Sequence, residues 1–229
     1  MNILITGARR GLGLSLVSYF LKKGYNVYNI IRSDSYSLDN LKKEYSDSLF
    51  LYYGDVTKEE ALTDIVFSLK KDTDSLDILI NNAAVHFEQN APDIDELDFS
   101  IYAPTFEVNS IAPLKVIKNF LPFLRRGKKK WIANISSEAG SIANCWREAE
   151  FSYCMSKAAL NMATAILRNR LSKEGFTVCA IHPGWFSSDM GGSEAPISPY
   201  DAAEKVGNII LSLDTRPAYV DLEGNEMSW

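Results

Sequence analysis

The sequence predicts one α/β domain over residues 1–229: a doubly wound, mostly parallel sheet of seven strands with helices on both faces. Three observations carry this expectation. Short apolar runs alternate with amphipathic stretches along the chain, the pattern of strand-helix-strand units with right-handed crossovers. The run Ile78-Leu79-Ile80 is apolar at every position, as a strand covered on both faces must be. A glycine-rich turn, Thr6-Gly7-Ala8-Arg9-Arg10-Gly11-Leu12-Gly13, follows the first strand directly and opens the first helix.

In chain order, strands are expected at Asn2 to Ile5, Asn26 to Ile31, Ser48 to Tyr53, Leu76 to Ile80, Trp131 to Ile135, Thr177 to Ile181 and Ala218 to Asp221. Amphipathic periodicity predicts helices over Leu12 to Lys23, Ser37 to Tyr45, Lys58 to Lys71, a long one from Phe99 to Arg126, Ser152 to Lys173, and Pro199 to Leu213. No internal repeat or linker interrupts the series. The loosest segments, 81–97 and 183–198, both follow strands, where the ligand-binding loops of open α/β sheets belong.

Composition narrows the function classes. With 46% hydrophobic and 23% charged residues, the chain has the balance of a globular protein. A net charge of -5 repels phosphate backbones, so nucleic acid is not an expected partner. The one basic run, Arg125-Arg126 with Lys128-Lys129-Lys130, lies between a helix and a strand and reads as a solvated turn. No stretch approaches the length of a membrane span, and the chain enters its first strand at once without a signal-peptide pattern. Three cysteines, Cys145, Cys154 and Cys179, show no metal-ligand spacing, so no metal site is expected. The expected compartment is the cytoplasm, with free thiols.

The glycine turn is suited to phosphate. Glycines let the backbone bend tightly and approach a pyrophosphate, whose charge a helix N-terminus favours. The spacing is T-G-x-x-x-G-x-G rather than G-x-G-x-x-G. The second strand ends Ile30-Ile31-Arg32-Ser33, with no carboxylate at its tip for a ribose 2′-hydroxyl. Arg32 offers instead a planar cationic fork for a 2′-phosphate, and Arg10 a second positive charge. The expected cofactor is therefore NADP(H) in preference to NAD(H). Asp34, two residues on, would blunt that preference, and Arg32 could also be an ordinary solvated loop residue.

Tyr153 and Lys157 are four residues apart and share a face on a helix. A tyrosine hydroxyl has a pKa of about 10, and a nearby ammonium favours the phenolate. Bringing the hydroxyl to neutrality takes roughly 4 kcal/mol of differential stabilisation, within reach of a desolvated ammonium with a cationic nicotinamide. The pair alone is equally consistent with a surface contact.

At this point the chain resembles the short-chain dehydrogenase/reductase superfamily, with a Rossmann-type fold. The resemblance covers essentially all 229 residues and rests on ordered matches. These are Thr6 to Gly13, Asp55 after the third strand, Asn81-Asn82-Ala83-Ala84 after the fourth, Asn109 in the long helix, Ser136-Ser137 after the fifth, Tyr153 with Lys157, and Pro183-Gly184 after the sixth. His182-Pro183-Gly184-Trp185 with Asp189-Met190-Gly191-Gly192 is similar to a narrower group, the C-signal-like proteins and sniffer-type carbonyl reductases.

The resemblance implies roles. Tyr153 would exchange a proton with the substrate oxygen, Lys157 would tune it and hold the nicotinamide ribose, and Ser137 would hydrogen-bond that oxygen. Asn109 would hold a water leading from Lys157 to solvent. Asp55 and Val56 would contact the adenine, and Asn81, Asn82 and Ala83 would line the cofactor, together with Gly7, Arg9, Arg10, Gly11, Leu12, Gly13, Arg32, Pro183 and Gly184. Alternatives stay open at several positions. Ser136 could be the active hydroxyl in place of Ser137, since only one of two successive residues faces a site. Asp55 could simply cap a helix, and Asn109 could be a capping or buried structural amide. Cys154, His86 and His182 are given no chemistry.

Two departures stand out. Ala84 replaces the usual glycine of the Asn-Asn-Ala-Gly motif, and 16 positions separate Ser137 from Tyr153, more than usual. The added stretch carries Glu138, Arg147, Glu148 and Glu150 and reshapes the pocket mouth. The substrate site is expected from loops 81–97, 138–152 and 183–198, with walls at His86, Phe87, Cys145, Trp146, Phe151, Trp185, Phe186 and Met190, unless these side chains only pack the core. The leading expectation is a carbonyl or alcohol oxidoreductase, a homodimer or homotetramer, acting on a small molecule without membrane or nucleic acid. The alternative is a nucleotide-binding signalling protein on the same fold with little turnover; an epimerase or dehydratase has no residue in its favour.

Overall fold

The computed structural model describes residues 1–88, 92–212 and 217–229. The strands are β1 (Asn2–Thr6), β2 (Asn26–Ile31), β3 (Leu49–Tyr53), β4 (Ile78–Asn81), β5 (Trp131–Ile135), β6 (Thr177–Ile181) and β7 (Tyr219–Val220). They form one sheet in the order β3-β2-β1-β4-β5-β6-β7, and every neighbouring pair is parallel. The mostly parallel sheet expected from the sequence is thus wholly parallel among the described residues.

Period-two alternation divides each strand between two cores. Ile3, Ile5, Ile78, Ile80, Trp131 and Ala133 pack on one face against helices α1 (Gly11–Lys22) and α2 (Tyr36–Glu44), together with a later helix over Pro199–Ser212. Leu4, Tyr28, Leu79, Ile132 and Val178 pack on the other, against α3 (Glu59–Asp72) and a helix over Ala112–Arg126. Because both faces are covered, both parities must be apolar. Each fully buried side chain of this size contributes about 1.5–3 kcal/mol.

Most boundaries fall within two residues of the sequence expectation. β4 starts at Ile78 rather than Leu76; just ahead of it the Asp77 carboxylate accepts hydrogen bonds from the backbone N–H groups of Asn2 and Lys128, each at 2.8 Å. The expected end of the last helix at Leu213 lies outside the described residues.

The long helix expected from Phe99 to Arg126 is not continuous. It runs as a 3₁₀ turn (Phe99–Ile101), α4 (Tyr102–Phe106), a π-turn (Glu107–Ile111) and α5 (Ala112–Arg126). In an α-helix the carbonyl of Asn109 would take its hydrogen bond from residue 113, which is a proline without an N–H. The wider turn falls where that partner is missing, and π-turns recur at functional positions. The remaining helices are α6 (Phe151–Leu171) and α7 (Pro199–Ser212).

The winding direction reverses between β1 and β4, which opens a crevice at the carboxyl ends of the strands. Since all strands are parallel, that edge collects the glycine turn, the Asn81–Ala84 segment, Ser136-Ser137 and Pro183-Gly184.

Candidate active site

The glycine turn after β1 is pressed against the segment after β4. Gly7 has φ +73°, and a Cβ there would lie 2.6 Å from the Ala83 Cα. A Cβ on Gly13 would lie 2.5 Å from the Asn82 amide nitrogen. Asn82 donates its amide to the carbonyls of Thr6 and Gly7, both at 3.0 Å. Thr6 Oγ1 in turn accepts from the N–H groups of Asn82 (3.1 Å) and Ala83 (3.2 Å). The Asn82 side chain therefore holds the turn in shape. Gly11 and Leu12 open α1; the Leu12 side chain is buried in the core, so what it offers the crevice is backbone. No side-chain cap and no acidic residue covers the start of α1, an arrangement suited to an anion.

Beside the turn lies a cleft of about 430 Å³, walled by Gly7, Arg9, Arg10, Arg32, Asp55 and Val56, with Ala83 and Val108 behind. Arg9 donates to Ser33 Oγ at 3.1 Å, and Ser35 Oγ donates to the Arg9 carbonyl at 2.9 Å. Cations thus gather at the tip of β2, but the arginine reaching it from the glycine turn is Arg9. Arg10, expected to add the second charge there, pairs with Asp189 across the crevice. Asp34 accepts a hydrogen bond from the Tyr53 phenol, which engages the one carboxylate expected to weaken a 2′-phosphate site. Asp55 Oδ1 accepts from the N–H (2.9 Å) and Oγ1 (2.8 Å) of Thr57. Burial pulls its carboxyl upward, but these hydrogen bonds and the charges of Arg32 and Lys58 hold it below its ordinary value. The carboxylate belongs to a turn two residues ahead of α3 and lines the cleft as well. Pro183 and Gly184 stand at the end of β6; Gly184 has φ +70°, and a Cβ there would meet Leu222 Cδ1 at 2.6 Å. Glycines packed closely against the segment after β4, beside a cationic cleft and an uncapped helix, fit the phosphates of a dinucleotide.

The second half of the site lies at the tip of β5. Lys157 is almost fully buried, and its Nζ donates to the Ile135 carbonyl at 2.9 Å and stands 5.7 Å from the centroid of the Tyr153 ring. Burial brings its pKa down to about 8. The Tyr153 hydroxyl is enclosed, and burial pushes it up to about 12; a hydrogen bond with Ser137 and the Arg147 charge act in the opposite sense. In the chain without cofactor, burial is the largest influence at the hydroxyl. The ammonium lies over the ring and bonds a strand carbonyl, so desolvation dominates at the hydroxyl.

Ser136 and Ser137 diverge. Ser136 Oγ donates to Asn161 Oδ1 at 2.6 Å, while Ser137 faces Tyr153. Asn109, 1% exposed on the π-turn, accepts from the Val85 N–H at 2.8 Å. Its amide donates to the Val85 carbonyl at 2.9 Å and to Ser156 Oγ at 3.0 Å. The side chain thus ties the segment after β4 to α6.

His86 lies against the Tyr153 ring, with centroids 4.6 Å apart, and burial holds its pKa below the ordinary histidine value. His182, lowered likewise by burial, accepts from the Glu138 N–H through Nδ1 at 3.1 Å. In the added stretch, Arg147 pairs with both Glu138 and Glu150 and stands over the Trp146 ring. Phe87, Cys145, Trp146, Trp185 and Met190 are exposed around the mouth, whereas Phe186 packs against the core. Sequence reasoning missed Glu88, whose carboxylate receives the first N–H groups of α6, and Tyr219, whose hydroxyl donates to the Ser137 carbonyl. No sequence signal pointed to Glu88: the helix was expected to begin at Ser152, itself a capping residue type, and its start at Phe151, after Glu150, is set by the fold.

Among the described residues no helix is long and apolar enough to cross a membrane.

Comparison with known proteins agrees with this architecture. The family model for short chain dehydrogenase matches residues 1–196. The chain is 36% identical over 159 residues to C-signal of Myxococcus xanthus, covering 69% of this chain and 95% of that protein. Its structure is similar to the carbonyl reductase Sniffer of D. melanogaster, with a TM-score of 0.90, 27% identity and coverage of 100% of this chain and 99% of that one. It is also similar to an NADPH-bound carbonyl reductase from chicken fatty liver, with a TM-score of 0.86, 28% identity and coverage of 100% and 98%. The chain belongs to the short-chain dehydrogenase family. It is an NAD(P)-dependent oxidoreductase that works on small molecules, at the alcohol or carbonyl carbon, with a nicotinamide cofactor.

Proposed function

We propose that the chain is a cytoplasmic, NADPH-preferring carbonyl reductase of one domain, residues 1–229, in which Tyr153 is the proton donor. The observation that carries this reading is the arrangement at the β5 tip: the Tyr153 phenol, protonated at neutral pH, stands beside Ser137 with the Lys157 ammonium over its ring. A group in that state suits donation to a carbonyl oxygen, which is the reducing direction. When bound, NADPH supplies the hydride. The chain's own residues do the rest. Ser137 hydrogen-bonds the substrate oxygen and Tyr153 gives it a proton, so that negative charge does not accumulate there. Lys157 holds the nicotinamide ribose and provides a positive charge behind the phenol. The Asn109 carbonyl, deprived of its α-helical donor by Pro113, receives a water that leads from Lys157 to solvent. Loops 81–97, 138–152 and 183–198 form the substrate mouth. A panel of ketones and aldehydes followed by NADPH absorbance tests the activity.

Cofactor choice follows from the tip of β2. Arg32 and Arg9, with Ser33 between them and Asp34 turned to Tyr53, support recognition of a 2′-phosphate, in keeping with the NADPH of the chicken enzyme. Fluorescence titration is expected to show NADPH binding at least tenfold more tightly than NADH, since a charged hydrogen bond is worth about 1.5–3 kcal/mol. Arg32→Ala should erase most of the difference by weakening NADPH alone. Equal wild-type affinities would refute the preference.

A homodimer or homotetramer is proposed through α5 and α6. Leu114, Met155, Met162 and Ile166 are exposed along these helices, with Ile111 at the end of the π-turn beside them. Val116, Ile117 and Phe120 on α5 are buried in the chain's own core and take no part in that surface. Light scattering at micromolar concentration should give a multiple of the 25.6 kDa chain mass, and a monomer would refute the interface. The likeness to C-signal supports a second reading, a signalling protein with little turnover; the substrate panel separates the two.

A further inference from the structure

We propose that Glu88 is a positioning residue for Tyr153: its carboxylate caps the helix that carries the phenol and, with His86, clamps that phenol in place. The proposal rests on the reading of Tyr153 as proton donor.

A helix start leaves its first N–H groups without partners, and a side chain just before the helix normally accepts from them. Before α6 that residue is Glu150, which has the left-handed φ of 63° and makes no cap. Its carboxylate is turned to Arg147 and lies 3.3 Å from His86 Nε2. The cap comes instead from 64 positions earlier in the chain. Glu88 Oε1 accepts from the Ser152 N–H at 3.3 Å, and Oε2 accepts from Ser152 Oγ at 2.9 Å and from the Tyr153 N–H at 3.3 Å.

Glu88 is 9% exposed, and a carboxylate so covered is held only where donors converge on it. The N-terminal end of the helix dipole favours the same charge. The grip on Tyr153 is double: Glu88 takes its backbone N–H, and His86, two residues away, lies against its ring. The gripping segment is pinned in turn, because the Asn109 side chain clasps both the N–H and the carbonyl of Val85. One path of direct contacts therefore runs from the π-turn through Val85 to Glu88 and into the first turn of α6. Without the cap, that turn can fray and swing the phenol away from the substrate oxygen. Cofactor contacts at the glycine turn do not depend on it.

The test uses Glu88→Ala and Glu88→Asp, each alone and in a Tyr153→Phe background, with a carbonyl substrate the wild type reduces. Misplacing a reacting group by about 1 Å can cost roughly 10²-fold, so Glu88→Ala should lower kcat by about 10- to 100-fold. KM and NADPH affinity should stay within about threefold, because neither depends on the phenol's alignment. Glu88→Asp draws the carboxylate back by one methylene and should show the same split, with a loss of about fivefold or more; it stands in if Glu88→Ala does not fold. Glu88→Gln, which keeps the shape and one acceptor oxygen, should recover most of the rate.

In the Tyr153→Phe background the Glu88 substitutions should cost nothing further, since no phenolic proton remains to be aligned. A purely structural cap would instead lower the melting temperature and leave kcat unchanged well below it. Unchanged kcat in the folded Glu88 variants, or full multiplicative losses in the double variants, overturns the clamp. A Tyr153→Phe enzyme with wild-type turnover overturns the proton-donor reading itself, whatever the Glu88 variants do.

Discussion

Tyr153→Phe is expected to lower turnover by about 10²–10⁴-fold, the range over which a positioned general acid contributes, while the fold and NADPH affinity survive. The substitution removes one oxygen and nothing else. The ring keeps its contact with His86 and its place beneath Lys157, neither of which involves the hydroxyl. What disappears is the hydrogen bond with Ser137 and the proton that a phenol raised to about 12 carries at neutral pH. Ser137→Ala should reduce turnover as well, with little effect on cofactor binding. The two losses should not multiply, since both groups act on one oxygen. Initial rates at saturating NADPH, with affinity from fluorescence titration, read all of these quantities. Near-normal turnover in Tyr153→Phe would mean that the proton comes from elsewhere.

Lys157→Met should damage turnover and NADPH affinity together, by about 10²-fold or more in kcat/KM, because one ammonium serves both phenol and ribose. Methionine is the better probe than alanine: it fills most of the volume and spares the enzyme a cavity worth about 2–5 kcal/mol. It still leaves the Ile135 carbonyl without its donor, at a cost of about 1–3 kcal/mol.

The pH dependence follows from the same burial. Lys157 is charged below about 8, so reduction should run level in acid and neutral solution and fall as pH rises through that value. Linkage gives the stability trend. The folded pKa is below the 10.5 of an ordinary lysine, so between about 8 and 10.5 the unfolded chain binds the proton more tightly. This group therefore adds stability as pH rises across that window. Lys157→Met should flatten both trends. A rate profile of unchanged shape in the variant would assign the alkaline fall to another group.

Particular residues show how far the linear chain could be read. The strands were legible because Ile3-Leu4-Ile5 and Ile78-Leu79-Ile80 must satisfy two cores at once, and only a sheet covered on both sides imposes that. The glycine turn was legible because Gly7 and Gly13 sit where a Cβ would strike Ala83 and Asn82, a demand that leaves a mark in residue type. The shared face of Tyr153 and Lys157 was a matter of helical spacing alone. The break at Asn109 was written in Pro113, although periodicity alone ran past it.

Other features of the site were decided by contacts between residues far apart in the chain. Which arginine reaches the β2 tip depends on Asp189, which draws Arg10 to the far side of the crevice. The capping of α6 depends on a glutamate 64 positions earlier, and the orientation of Ser137 on its neighbour's bond to Asn161. The protonation of Tyr153 could not be read from its distance to Lys157 along a helix, because the larger influence is desolvation by the segments folded around it. Local chemistry and periodic burial act along the chain and leave their pattern in residue type. Charge pairing, capping and desolvation act through space, and they exist only once separate segments have been brought together.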